Sequence, residues 1–265
     1  MKKRSMVLGL AGLGLAGLGQ VAGAHAEDAG LLGPDVTLSG TVALQSDYRF
    51  RGISQNARQA TPEASLIVQG PSGWYGSVWA AKTNWGLPRQ DGATPSYEVD
   101  EYVGKHTDLW GTDLNVEAYY YSYPDYHGPK DGAKASYFEA IGQLTHNFGD
   151  LSLTGSWAYS PALSLGNGTG NDLSGTAAYT LNDWVTLSAD LGHQWAQNAK
   201  YGGGDGYTHY DAGATVTYHA VSLDLRYAGT DLGARACAFY MGNADDHPCA
   251  GGFTATLSYA IGAPS

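Results

Sequence analysis

The stretch Val221-Ser222-Leu223-Asp224-Leu225-Arg226-Tyr227 alternates apolar and polar side chains without a break. In extended backbone successive side chains point to opposite faces, so a strand here has one apolar face and one wet face. Phe253, Ala255, Leu257, Tyr259 and Ile261 repeat the pattern against Thr254, Thr256, Ser258 and Ala260. Outward from these two segments the same reading finds twelve strands, at residues 36–50, 60–69, 74–84, 96–106, 112–122, 135–147, 150–160, 172–181, 183–195, 207–218, 221–231 and 251–262.

The connections decide between barrel and sandwich. Gly70-Pro71-Ser72-Gly73, Thr107 to Gly111, Phe148-Gly149, Asn182 and His219-Ala220 are short joints. Between them lie longer polar segments at 51–59, 85–95, 123–134, 161–171, 196–206 and 232–250. A two-sheet sandwich gives no reason for six connections at one end to be systematically longer, whereas a membrane barrel has short turns on one rim and long loops on the other. The expected fold class is therefore all-β: a single antiparallel up-and-down transmembrane β-barrel of about 12 strands. Strands of about 10 residues match the span a tilted strand needs to cross hydrocarbon.

The 265 residues include 38 glycines and 19 tyrosines but only 5 phenylalanines, a profile far from a helical bundle. Lys2, Lys3 and Arg4 precede an uncharged Ala/Gly/Leu run from Met6 to Gly23, and Ala24-His25-Ala26 then offers small residues to a signal peptidase. A signal peptide at 1–26 and one barrel domain at 27–265 are expected; the alternative is a retained anchor. Its removal takes three basic and no acidic residues, leaving 11 Lys+Arg against 25 Asp+Glu and a formal charge of −14. That charge argues against nucleic acid as a partner. Cys237 and Cys249, twelve apart in an exported chain, point to a local disulfide, not to a metal or redox site.

Phase assigns the faces. In the fifth strand Leu114, Val116, Ala118 and Tyr120 fall on the lipid side, with Asp113, Asn115, Glu117, Tyr119 and Tyr121 inward. In the sixth, Phe138, Ala140, Gly142 and Leu144 face out while Glu139, Ile141, Gln143 and Thr145 face in. In the ninth, Val185, Leu187, Ala189 and Leu191 face out, and Thr186, Ser188 and Asp190 face in. Tyr48, Trp74, Trp184, Trp195, Tyr210 and Tyr218 suit the interfacial aromatic girdles. Two strands resist this assignment. Glu101 shares a phase with Val99 and Val103, which implies a rim position or a bulge, and the third strand carries tryptophans on both faces.

In strand one the inward phase runs Thr37, Ser39, Thr41, Ala43, Gln45, Asp47, Arg49 and Arg51, with Tyr48 and Phe50 directed to the outer girdle. Two guanidinium groups near one mouth imply either a ladder of ion pairs, with Asp47, Glu63 or Asp231 as partners, or a charged constriction that selects solutes. Glu98, Asp100, Asp113, Glu117, Glu139, Asp190 and Asp224 give the interior a negative cast that Arg226 offsets only in part, so weak cation selectivity is expected. The candidate pore-lining set is Asp47, Arg49, Arg51, Asp113, Glu117, Tyr119, Tyr121, Glu139, Asp190, Asp224 and Arg226.

Enzymatic and metal chemistry find little support. The histidines are scattered without HExxH spacing, no serine sits in a GxSxG context, and Gly202-Gly203-Gly204-Asp205-Gly206 lacks the helix a phosphate loop needs. No catalytic residue, cofactor or metal is expected.

Residues 46–54 read Ser-Asp-Tyr-Arg-Phe-Arg-Gly-Ile-Ser, and here the chain resembles the TorF family of outer-membrane porins. Further matches follow in order: Gln55, Pro62, Gly73 to Trp79, Tyr120 to Pro124, Tyr159-Ser160-Pro161, Tyr227 to Leu232 and the late cysteine pair. The resemblance covers essentially the whole mature chain and implies an exported barrel that passes small solutes across the outer membrane. The implied partners are outer-membrane lipid, small hydrophilic solutes and the barrel-assembly machinery, with a monomer favoured. Two departures stand out. The chain ends Ala263-Pro264-Ser265 where family members finish on an aromatic residue, and Ala228-Gly229 stands where they often carry Thr-Asp.

Overall fold

The computed structural model describes residues 35–85, 94–128, 134–197, 206–241 and 247–262. The expected signal peptide, the last three residues and the glycine-rich tip at 202–205 lie outside them. Twelve strands form one closed antiparallel ring: β1 (Thr37–Gln45), β4 (Thr61–Gln69), β5 (Trp74–Lys82), β6 (Tyr97–Leu109), β7 (Thr112–Ser122), β8 (Tyr137–Phe148), β9 (Leu151–Ser160), β10 (Gly170–Thr180), β11 (Val185–Ala196), β12 (Gly206–Tyr218), β13 (Val221–Thr230) and β14 (Gly252–Ile261). Each pairs with its neighbours in sequence, and β1 closes the ring on β14 from Gly40↔Ile261 to Gln45↔Thr256. Closure leaves no unpaired edge, which is the condition for placing a sheet in lipid. Two two-residue strands, β2 (Arg49–Phe50) and β3 (Ile53–Ser54), form a hairpin that is not part of the ring's ladder.

The short turns follow from local chemistry. Trp110 and Gly111 both have positive φ, 56° and 85°, the two-residue turn whose twist matches the flanking strands. The β6–β7 pair therefore zips up to Leu109↔Thr112, three residues beyond the expected strand end at 106. At the β10–β11 turn the Asn182 side-chain oxygen accepts the N–H groups of Trp184 (2.9 Å) and Val185 (3.0 Å). All the longer connections leave the opposite rim. The last carries the one α-helix among the described residues, α1 (Ala234–Met241), where a polar loop was expected.

The two faces separate as the alternation predicts. Leu66, Val78, Val103, Val116, Leu144, Leu173, Leu191, Leu225 and Leu257 lie exposed on the outer wall. Trp74, Trp184 and Tyr218 ring the short-turn rim, and Tyr97, Tyr120, Phe138 and Trp195 the long-loop rim. The third strand resolves with Trp74 outward and Trp79 inward and buried. Glu101 does face out, but its pairing with Val78 and Tyr120 runs without slip, so there is no bulge. It stands four residues in from Tyr97 of the long-loop rim, between Val78 and Tyr120.

The prediction from this wall is a contrast between faces. Leu225→Arg, mid-wall and outward, should lower the unfolding free energy in phospholipid vesicles by about 2–4 kcal/mol. Thr215→Asn, on the inner face, should change it little, as read from reversible denaturant unfolding.

Candidate functional site

Strand β1 stops at Gln45, and the next nine residues turn into the barrel instead of continuing its wall. Ser46 makes the last link to β14, donating its N–H to the Ala255 carbonyl (2.9 Å) and accepting the Ala255 N–H on its hydroxyl (2.9 Å). Asp47 then holds the base of the inset hairpin: one carboxylate oxygen accepts the Ser54 hydroxyl (2.5 Å), the other the Arg49 Nε–H (2.7 Å). The Arg49 guanidinium is buried and donates through Nη1 to the carbonyls of Gly52 (3.0 Å), Ala250 (2.9 Å) and Ala228 (3.3 Å). Burial lowers its pKa and Asp47 opposes that shift. It ties the hairpin to itself, to β13 and to the segment before β14.

The tip is Arg51-Gly52, with φ of 45° and 78°, a two-residue turn between Phe50 and Ile53. Only glycine fits at 52, since an added Cβ would also collide with the Gly229 carbonyl. Ala228-Gly229, the departure from the resembled family, is thus the backbone on which the hairpin rests.

Arg51 spans the lumen to the far wall. Its Nη1 and Nη2 donate to the two oxygens of Glu139 on β8 (2.8 and 2.9 Å), a bidentate pair, and Nη1 also reaches Gln194 Oε1 on β11 (2.6 Å). Asp172 on β10 lies 3.5 Å from Nε and accepts His209 Nε2 at 2.9 Å. Burial works against the charge on Arg51, and the Glu139 and Asp172 carboxylates overcome it, leaving the pKa well above the ordinary value. The guanidinium lies 4.7 Å over the Phe50 ring, which packs edge-on against Tyr121.

Tyrosines line the wall that the hairpin covers. Tyr102 and Tyr119, directly opposite across β6–β7, stack at 4.6 Å; Tyr121 and Tyr137, opposite across β7–β8, stack at 4.4 Å. The Tyr121 hydroxyl donates to Glu139 (3.1 Å) and the Tyr119 hydroxyl to Asp100 (3.1 Å). Ile53 is buried in the same cluster as Tyr121, Tyr207 and the Cys237–Cys249 disulfide, which ties α1 to the chain before β14. The long-loop half of the lumen is thus packed with side chains.

The short-turn half is looser and polar. Asp113 pairs with His106 (2.8 Å), Glu117 accepts from Asn115 (2.7 Å) and Asp190 from Thr176 (2.8 Å). Arg226 binds Asp224 (3.0 Å) and Asp211 and donates to Ser188 (3.0 Å).

All eleven candidate residues face the interior, but they form two groups. Asp47, Arg49, Arg51, Tyr119, Tyr121 and Glu139 meet at the hairpin; Asp113, Glu117, Asp190, Asp224 and Arg226 line the half below it. Three expectations are corrected. Strand one does not extend to residue 50. Tyr48 and Phe50 do not face the outer girdle: Tyr48 is fully buried against Trp79, because the chain that carries them has left the wall. Glu63 and Asp231 do not neutralise the arginines; Asp231 instead accepts the Thr208 N–H (2.8 Å).

Asp172, Gln194, His209 and Asp211 were missed as site residues. The signal was in the phase, since His209, Asp211 and Thr215 share the inward side of their strand.

Arg49→Ala would leave Asp47 buried without its cation, a loss of about 3–5 kcal/mol. Hydrogen exchange should show fast amides across 49–54, with the ring strands still protected.

The described fold is similar to two solved barrels. One is described as "KdgM porin", with a TM-score of 0.52, 7% identity and coverage of 84% of this chain and 99% of that one. The other is described as "NanC porin structure in rhombohedral crystal form", with a TM-score of 0.51, 12% identity and coverage of 84% and 98%. At such identity the likeness is one of fold. No curated protein matches the chain. A family described as "Bacterial protein of unknown function (Gcw_chp)" matches residues 29–258, and the chain belongs to that family.

Proposed function

We propose that this chain is a narrow outer-membrane porin, passing small hydrophilic solutes through a lumen constricted on its outer side by the 46–54 hairpin. The observation that carries the reading is the interior of the closed ring: polar along its length, with acids well in excess of bases. Asp47, Glu63, Glu98, Asp100, Asp113, Glu117, Glu139, Asp172, Asp190, Asp211 and Asp224 face inward, against Arg49, Arg51 and Arg226 among the described residues. A cavity of that sign favours cations and neutral solutes over anions. An apolar outer wall between aromatic rows supports residence in a bilayer, with the long loops outside the cell and both ends of the ring in the periplasm. The barrels of similar fold that are called porins support transport over hydrolysis, and the motif likeness to the TorF family points the same way. The protein acts as a monomer in this reading, delivered by the barrel-assembly machinery after removal of residues 1–26.

A second reading is a non-conducting barrel that works through its long loops. What favours it is the packing of the outer half, where Tyr48, Arg49, Tyr119, Tyr121 and Glu139 are almost wholly covered.

Planar-bilayer recording from folded protein separates the two. The porin reading predicts small, reproducible single-channel steps and a reversal potential of cation preference in a salt gradient. It also predicts larger steps for Arg51→Ala, which releases the hairpin tip from Glu139 and Asp172. Silence from folded wild-type protein, or an anion-selective reversal potential, overturns it.

A further inference from the structure

Three acidic side chains in the long-loop half have no place in the arginine network. Glu63 on β4 and Glu98 on β6 both stand opposite Ala81 of the strand between them, so two carboxylates flank one small residue. Asp100 follows Glu98 two positions along the same inward face. All three are at least nine-tenths buried, and none is in an ion pair among the described residues. Tyr123 donates to one oxygen of Glu98 (2.7 Å) and Tyr119 to one oxygen of Asp100 (3.1 Å). Glu98 is also approached by the Tyr48 hydroxyl and Asp100 by the Ser122 backbone, whereas both oxygens of Glu63 have no hydrogen-bond partner.

A separate element points into the same place. Tyr48, on the inward chain and not on the wall, is fully buried against Trp79, with its hydroxyl directed at Glu98 but outside normal hydrogen-bond geometry. Burial first, then the charges of Glu98, Asp100 and Glu63, push its pKa well above the ordinary value, so it stays a neutral hydroxyl among three acids. The Gln45 side-chain carbonyl, two residues along β1 from Ala43, the partner of Glu63, is likewise buried and unpartnered.

Charged and unpaired, such carboxylates would cost several kcal/mol each; the chain supplies no cation here, so each either holds a proton or takes a cation from solution. The unpartnered oxygens, from carboxylates, a hydroxyl and an amide carbonyl, suit a hard cation and not a soft one, and the unpartnered Trp79 indole N–H beside them binds none. No three acidic, histidine or cysteine side chains are already drawn together as ligands among the described residues. An ion here is therefore held by one or two carboxylates, with neutral oxygens and water completing its shell, as hard divalent ions commonly are.

We propose that one or two of the carboxylates of Glu63, Glu98 and Asp100, with the Tyr48 hydroxyl beside them, bind a hard divalent cation that fastens the inward chain to the β4–β6 wall. The site does not depend on conduction: a silent barrel would hold the same ion, so its failure and that of the porin reading are distinguishable.

The test uses full-length mature protein, refolded in detergent free of lipopolysaccharide, with Ca2+ and Tb3+ as probes. Tb3+ bound beside Tyr48 and Trp79 should give luminescence on aromatic excitation that Ca2+ displaces, and Ca2+ should raise the unfolding temperature saturably over an EDTA-treated sample. Glu63→Gln should lose both effects, and Tyr48→Phe, which keeps the ring on Trp79, should weaken both. Asp108→Asn, an exposed acid at a turn, should leave them unchanged. Wild-type protein that shows neither effect overturns the proposal even if Glu63→Gln fails to fold. Equal Ca2+ effects in wild type and folded Glu63→Gln overturn it as well.

Discussion

The inward course of residues 46–54 depends on one buried guanidinium, that of Arg49. A charged group placed there without partners would unfold the hairpin; matched by Asp47 and three backbone carbonyls it does the reverse, because each acceptor belongs to a different part of the chain. The hairpin base, its tip, β13 and the segment before β14 meet at this one side chain. Every feature of the long-loop half follows from that anchoring. Arg51 reaches Glu139 and Asp172 because the tip is aimed across the lumen, and Ile53 meets Tyr121 and Tyr207 because the second arm runs back over the tyrosine wall.

The ring and the hairpin answer different physical demands. Lipid requires that every wall strand pair on both sides and turn an apolar face outward, which fixes the twelve-strand closure with little freedom. The interior is under no such demand, and here the chain places buried ionisable groups, which are costly unless fully paired. The two arginines of the hairpin satisfy that condition. Glu63, Glu98 and Asp100 do not, and that imbalance is what sets their pocket apart from the rest of the lumen.

The ring was legible because lipid exposure imposes a period of two on every strand, and the Pro/Gly/Asn turns mark the ends. Glu101, which broke the pattern, raised the expectation of a rim position or a bulge, and the unslipped pairing removes the bulge. The hairpin was not legible by the same signal. Alternation is a property of extended backbone wherever it lies, so Asp47, Arg49 and Arg51 kept the inward phase of β1 after the chain had left the wall. Arg51-Gly52 was the available cue, since a pair with positive φ closes a tight hairpin. The Asp172–His209 contact joins strands distant in sequence, and only the closed ring brings it beside Arg51. The helix α1 lacks a strong apolar period and is held by its disulfide, so nothing local announced it.

Thiol accessibility at the hairpin tests the central claim most directly. The native cysteines are bonded to each other, so Ile53→Cys would carry the single reactive thiol, with Asp231→Cys on an exposed loop as reference. In folded protein a membrane-impermeant maleimide should label position 231 promptly and position 53 only after unfolding. Prompt labelling of position 53 in the folded barrel would mean that the chain does not enter the lumen, and would contradict the account.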